Sequence, residues 1–226
     1  MLKGVQVLIS HNQRFIYLKT IKTASTSTEV LFQVFCIPPK QIPHEWEEWH
    51  ATDEVVSEYG VVGERINSAE NSTYFNHMSA QQVISAVGRD LWSSYFKFAN
   101  VRNPWDKIVS HFFYYQAWTG ADNHRSDLNQ AFEAFVDSYQ KRPVEALLCK
   151  KEFAMDAYIR YENLQDDIAD VASRLSVVLP QLNIPKLKTG QRPEDFADYR
   201  RLYGSQERLK VERLYNDWIE KFGYRF

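Results

Sequence analysis

The chain has 226 residues, of which 44% are hydrophobic and 25% charged, so a globular domain with a sizeable core is expected. Its net charge of −2 argues against a nucleic-acid partner and against whole-protein attraction to polyanionic sugars. Two cysteines, Cys36 and Cys149, make no disulfide framework and favour a reducing compartment. The apolar run near the N-terminus is too short for a signal segment or a membrane span. We therefore expect one cytoplasmic domain over residues 1–226, of unknown oligomeric state.

A buried strand followed by a helix is the first strong pattern. Residues 15–18 (FIYL) form a short apolar run rich in β-formers, typical of a strand covered on both faces. The helix is expected to begin near Ser25, because Thr26 and Glu29 have the spacing of a capping box. It is expected to end by Ile37, since two prolines follow.

The loop between this strand and helix predicts an anion site. It contains one lysine, Lys22, a small residue, Ala24, and the hydroxyl side chains of Thr23, Ser25, Thr26 and Ser27. A helix N-terminus adds N–H groups without partners and the positive end of its dipole, and phosphate is the expected ligand. The alternative is a plain helix cap beside a solvated lysine. The order of residues is not that of a Walker A loop, which has glycines and a later lysine.

A second strand, turn and helix follow an irregular segment over residues 40–74 and a helix over residues 79–91. The strand covers residues 95–101, and the turn carries Arg102. Asn103 suits the N-cap and Pro104 the first turn of the next helix. A third strand ends near Tyr161 and precedes another helix, and a last helix is expected over residues 206–222. Such alternation predicts an α/β fold with a central parallel sheet flanked by helices. The three turns would then share one edge of the sheet.

Three blocks of sequence resemble the sulfotransferase family, in the bacterial branch related to the Golgi carbohydrate sulfotransferases. LKTIKTASTS (18–27) resembles the 5′-phosphosulfate loop, although Ile21 and Ala24 stand where proline and glycine are usual. FKFANVRNPWDKIVSHFF (96–113) resembles the 3′-phosphate block, with an arginine and a serine eight residues later. IRYENL (159–164) and FGYRF (222–226) resemble its closing pattern. The resemblance implies a three-layer sandwich similar to that of the P-loop NTPases.

The resemblance also implies the donor 3′-phosphoadenosine 5′-phosphosulfate (PAPS), the product adenosine 3′,5′-bisphosphate (PAP) and no metal. Lys22 would contact the 5′-phosphate and the oxygen that bridges to sulfur. The 3′-phosphate would be held by Arg102, whose planar guanidinium binds phosphate bidentately, and by Ser110. Tyr161 would contact adenine, with a core position as the alternative. The 5′-phosphate itself would be held by Thr23, Ala24, Ser25, Thr26 and Ser27.

A general base must take the proton of the acceptor hydroxyl, and histidine is the usual choice near neutral pH. Of the 6 histidines, His77 lies just ahead of the 3′-phosphate strand, where bacterial family members have a histidine. We predict His77 as the base. A structural histidine at the start of a helix is the alternative, and His50 and then Glu48 are the next candidates.

The chemical class of the acceptor is inferred from the segment HEWEEWHATDE (44–54), which is rich in carboxylates and tryptophans. It is either a surface helix or the border of an acceptor pocket in which His50, Glu48 and Trp49 contact the substrate. Such residues suit a neutral or cationic metabolite, such as an amine-bearing natural product, through charge pairing and cation–π contact. A sugar or glycolipid is the alternative acceptor. A small-molecule kinase and a non-catalytic PAP-binding protein are the other classes to be tested.

Overall fold

The computed structural model describes residues 7–42, 54–64, 72–75, 77–120, 128–179 and 190–226. These residues form two compact units. The first unit holds the described residues up to Val101 and those from Arg142 to 179. The second holds Arg102–Lys141 and residues 190–226. A single domain over residues 1–226 stays a prediction.

The first unit contains a mixed sheet of six strands. Its strands are β1 (Leu8–Ser10), β2 (Phe15–Leu18), β3 (Val55–Ser57), β4 (Gly60–Val62), β5 (Phe96–Val101) and β6 (Ala157–Arg160). Their order across the sheet is β3-β4-β1-β2-β5-β6. Strands β2, β5 and β6 pair in parallel, so their carboxyl ends lie at one edge. The predicted α/β class is confirmed, and its P-loop-like three-layer arrangement stays a prediction.

The predicted central parallel sheet is found on one side of β2, and the strands on the other side are antiparallel. Strands β1, β4 and β3 join through antiparallel pairs, and β3 and β4 form a hairpin inside the segment that was expected to be irregular. Gly60 begins β4 with φ +153°, and a side chain there would collide with the carbonyl oxygen of Ile9 on β1. The glycine therefore lets β4 approach β1 closely.

The described part of the chain contains helices where the sequence predicts them, but two of these are divided and α6 was not predicted. The helices are α1 (Ser25–Gln33), α2 (Ala80–Val87), α3 (Arg89–Ser94), α4 (Pro104–Thr119), α5 (Leu128–Ser138), α6 (Pro143–Leu147), α7 (Leu164–Arg174), α8 (Ser205–Leu214) and α9 (Asn216–Phe222). The helix expected over residues 79–91 is divided at Gly88, whose φ of +86° is not helical. The helix expected over residues 206–222 is divided at Tyr215.

Aromatic packing joins the sheet of the first unit to α1. The rings of Phe15 on β2, Phe32 on α1 and Phe98 on β5 meet with centroids 4.9–5.9 Å apart. All three side chains are fully buried, as the apolar runs in the sequence predict. Burial of large aromatic rings contributes much of the stabilisation of a core. The core therefore supports β2 and α1 on either side of the predicted anion loop.

The second unit is helical, and a buried lysine lies in its core. Helix α4 packs against α5 and α8. Lys107 of α4 is fully buried, and its Nζ donates to the hydroxyls of Tyr139, at 3.0 Å, and Tyr215, at 2.8 Å. The same ammonium lies over both rings. Hydrogen bonds and cation–π contacts together compensate for the loss of water around this charge.

Candidate active site

The loop between β2 and α1 has a strained backbone. Lys22 and Ala24 both have φ of +58°, in the left-handed region where glycine is favoured. Ala24 is the N-cap residue of α1 and has no side-chain oxygen, so the predicted capping box of Thr26 and Glu29 is wrong.

The first turn of α1 presents N–H groups to the loop. The N–H groups of Ser27 and Thr28 reach the carbonyl of Ala24, at 3.0 and 3.2 Å. Among the described residues, those of Ser25 and Thr26 have no backbone acceptor. Two neighbouring N–H groups at a helix N-terminus suit an anion.

Two of the loop hydroxyl groups form hydrogen bonds with Thr20, at the start of the loop. Ser25 Oγ donates to the carbonyl of Thr20 at 2.6 Å, and Thr23 Oγ1 shares a hydrogen bond of 2.8 Å with Thr20 Oγ1. Thr23 is fully buried and Ser25 nearly so. A phosphate at this loop would therefore meet N–H groups and Lys22 before these two hydroxyls.

A buried ion pair, which the sequence did not predict, lies behind the loop. Lys19 Nζ donates to Glu29 Oε2 on α1, and both side chains are almost completely buried. Glu29 therefore neutralises the charge of Lys19 inside the first unit. Breaking such a pair leaves an uncompensated buried charge, so the pair holds the end of β2 against α1.

His77 contacts the backbone directly after β2. Its Nδ1 lies 3.0 Å from the carbonyl oxygen of Lys19, three residues ahead of Lys22. A carbonyl only accepts hydrogen bonds, so Nδ1 carries the proton and Nε2 carries the lone pair. Burial lowers the pKa of His77 to about 4, and the hydrogen bond to Lys19 opposes this effect. The ring is therefore neutral at pH 7, as a general base must be before it accepts a proton.

The lowered pKa predicts the pH at which His77 gains a proton. In the unfolded chain the pKa of the ring is about 6.5. Between that pH and about 4 the unfolded chain binds more protons than the folded one, so acidification lowers the free energy of unfolding across this window. In an NMR titration the His77 ring should stay neutral at pH 5 and titrate near 4. Titration at its ordinary value would mean that the ring is solvated in the folded protein and that burial does not lower its pKa.

The turn after β5 belongs to the second unit and forms a cluster of charges. The guanidinium of Arg102, which is 6% exposed, donates to Asp106 Oδ2 through Nε and Nη2, both at 2.7 Å. Arg192 Nη1 donates to the other oxygen of Asp106 at 2.5 Å. Ser110 lies four residues beyond Asp106, on the same face of α4. Asp106 and Arg192 were not predicted as site residues. The four-residue spacing from Arg102 was a signal for Asp106, while Arg192 lies 86 residues away.

The N-cap of α4 is formed as the sequence predicts. Asn103 Oδ1 accepts from the N–H groups of Trp105, at 3.1 Å, and Asp106, at 3.4 Å, and Pro104 is the first helical residue. Asn103 Nδ2 also donates to the carbonyl of Arg225 at 2.9 Å. The closing segment of the chain therefore supports the turn that carries Arg102.

The remaining candidates lie apart from these contacts. Tyr161 follows β6 directly and is 40% exposed, so its alternative placement in the core is wrong. His50, Glu48 and Trp49 lie outside the described residues.

Within the described part of the chain, no group of His, Cys, Asp and Glu side chains could hold a metal ion. No helix in that part has the length and apolar character needed to cross a membrane.

These features define an α/β protein in which a helix N-terminus with two N–H groups and a neutral histidine lie near the carboxyl end of β2. The model of the sulfotransferase family matches residues 5–224, nearly the whole chain. The chain therefore belongs to the sulfotransferase family and is a sulfotransferase enzyme. An uncharacterized protein of Archaeoglobus fulgidus is 29% identical over 106 residues, which are 44% of this chain and 83% of that protein. No solved structure matches the chain.

Proposed function

We propose that this enzyme transfers the sulfuryl group of PAPS to a hydroxyl of a small acceptor, with His77 as the base. One observation carries the proposal: the His77 ring is bound to the backbone of Lys19, three residues from Lys22. The family membership supports PAPS as the donor. PAPS supplies an activated sulfuryl group on a phosphate leaving group.

The loop after β2 fits the 5′ end of this donor. The N–H groups of Ser25 and Thr26 would bind the 5′-phosphate, with the loop residues Thr23, Ala24 and Ser27 completing the cradle. Lys22 would stabilise the negative charge that develops on the leaving oxygen as the bond to sulfur breaks. The transfer is in line, so the acceptor oxygen must approach sulfur opposite that leaving oxygen.

The charge cluster of the second unit fits the other phosphate. Arg102 and Ser110 would bind the 3′-phosphate, and Asp106 holds the guanidinium of Arg102 in one orientation. A planar guanidinium held by a carboxylate is pre-organised for bidentate contact with phosphate oxygens. Tyr161, exposed beyond β6, would contact adenine.

His77 would remove the proton from the acceptor. Its Nε2 has the lone pair, because Nδ1 donates to Lys19. A base with a pKa of about 4 is weak, so proton transfer would accompany the bond to sulfur rather than precede it. His50 and Glu48 remain the other candidates for this role.

The acceptor is proposed from charge and composition. A net charge of −2 and the Glu- and Trp-rich segment support a neutral or cationic hydroxyl compound, such as an amine-bearing natural product. A carbohydrate or glycolipid is the second candidate, favoured by the exposed guanidinium of Arg142 near His77. Inhibition by cationic alcohols but not by sulfated sugars would support the first candidate, and the reverse would overturn it.

We also propose a cytoplasmic location.

Thermal unfolding with nucleotides tests the donor. PAP at a hundredfold excess over its dissociation constant should stabilise the folded protein by ~2.7 kcal/mol. The increase in melting temperature should be lost in Arg102→Ala and kept in Arg200→Ala. The second variant removes an exposed arginine of the same unit that pairs with Asp198 and lies over the ring of Tyr199. The 5′-AMP and ATP–magnesium controls should shift the wild type less than PAP. A shift with ATP–magnesium alone would favour a kinase, and PAP binding without transfer to a broad panel of hydroxyl compounds would favour a non-catalytic binder.

A further inference from the structure

A buried asparagine connects the second parallel strand to the anion loop. Asn100 lies on β5, one residue before its end, and is 0% exposed. Its Nδ2 donates to the carbonyl of Thr23 at 3.1 Å and to Thr28 Oγ1 at 3.0 Å. The carbonyl of Thr23 accepts only, so it sets the orientation of the amide. One side chain thus binds the loop and the first turn of α1 together.

The other atoms of Asn100 extend this network. Its Oδ1 accepts from the hydroxyl of Tyr17 at 2.6 Å, and its backbone oxygen accepts from Thr20 Oγ1 at 2.6 Å. The hydroxyl of Tyr17 also lies 3.1 Å from the carbonyl of Ser25. Burial, together with the charge of Glu29, raises the pKa of Tyr17 well above its ordinary value, so the hydroxyl keeps its proton. The network therefore contacts both ends of the loop.

The loop requires support from outside in addition to its own hydrogen bonds, because its backbone is strained. Lys22 and Ala24 adopt left-handed conformations without being glycine, and Ile21 stands where the family pattern has proline. Strained backbone persists only where the surroundings hold it. The side-chain bonds of Asn100 to Thr23 and Thr28, on either side of Ala24, add a contact from β5 to the bonds within the loop.

We propose that Asn100 is a positioning residue, which holds the loop in the conformation that binds the 5′-phosphate of the donor. The identity of the ligand rests on the proposed function. A neutral amide is required here, because an aspartate would lose both donated hydrogen bonds and add negative charge behind a phosphate site. The role is distinct from that of Arg102, which would contact the ligand itself.

The test compares Asn100→Ala with Val171→Ala, a substitution in the core of the same unit. Calorimetry well below the melting temperatures should show that Asn100→Ala weakens binding of PAP and of 5′-AMP by the same factor, about tenfold or more. Val171→Ala should change neither affinity, although it also lowers stability. Thr28→Val removes one acceptor of Asn100 at nearly constant shape and should weaken the binding of both ligands in the same way. This variant replaces Asn100→Ala in the test if Asn100→Ala does not fold.

A second measurement needs no ligand and separates this proposal from the proposed function. In the free protein, amide hydrogen exchange over residues 20–28 should accelerate in Asn100→Ala and in Thr28→Val, relative to α7 in the same sample. Val171→Ala should accelerate amide hydrogen exchange in α7 instead. Unchanged exchange in the loop, or unchanged affinity for both nucleotides, would overturn the role of Asn100. Absence of nucleotide binding by the wild type, with the exchange pattern as expected, would overturn the donor and leave Asn100 as the residue that orders the loop.

Discussion

Replacing Lys22 with alanine should lower turnover at saturating donor by about 10²–10³-fold, the usual effect of removing one group that stabilises charge in a transition state. Lys22 lies in the loop, two residues ahead of the N-cap of α1. Its ammonium is the predicted partner of the leaving oxygen, where negative charge grows as sulfur departs. The binding of PAP should weaken much less than turnover, because most of the contacts proposed for the phosphate come from N–H groups.

The matched control is Lys40→Ala, which removes an exposed lysine from a short 3-10 helix of the same unit. Turnover and PAP binding should both be unchanged in this variant. Initial rates over a range of donor concentrations separate the two quantities. A Lys22→Ala enzyme that keeps its turnover number and only needs more donor would show that Lys22 binds the ground state alone and has no role in the chemical step.

Replacing His77 with alanine should lower turnover by about 10²–10⁴-fold, the range for loss of a general base, and leave PAP binding nearly intact. The physical reason is the fixed tautomer, in which Nδ1 donates to Lys19 and Nε2 is left for the acceptor. His11→Ala is the control, because His11 is also partly exposed in the first unit and also uses Nδ1, which lies 3.0 Å from the hydroxyl of Tyr95.

Single-turnover rates with a competent acceptor and isothermal calorimetry with PAP measure the two effects separately. Retained turnover in His77→Ala would remove this residue from the mechanism and transfer the role to His50 or Glu48. Loss of PAP binding together with turnover would show instead that His77 supports the loop through Lys19. The same experiment thus distinguishes a base from a structural histidine.

The sequence predicted those parts of the fold that depend on local patterns. Strand β2 was evident from four consecutive buried apolar residues, and the start of α4 from an asparagine followed by proline. The hairpin of β3 and β4 was not evident from the sequence. Its strands have three residues each, which is too short for an alternation of apolar and polar residues to be recognised. The capping box was wrong because Glu29, three residues after Thr26, pairs with Lys19 instead.

The parts of the site that the sequence did not predict depend on contacts between distant residues. Asn100 binds Thr28 across 72 positions, and Arg192 binds Asp106 across 86. No spacing rule connects such pairs, whereas Lys22, Arg102 and Ser110 stand out because they follow strands or lie at fixed intervals in motifs. The sequence therefore indicated residues that would contact the donor, and the structure adds residues that hold them in place.

A crystal structure with PAP tests the central claim most directly. We predict the 5′-phosphate in contact with Lys22 and with the N–H groups of Ser25 and Thr26, and the 3′-phosphate in contact with Arg102 and Ser110. Density for PAP in this arrangement would establish the donor and the orientation of the leaving group. A nucleotide bound with its 5′-phosphate away from the loop after β2, or no bound PAP at saturating concentration, would contradict the account.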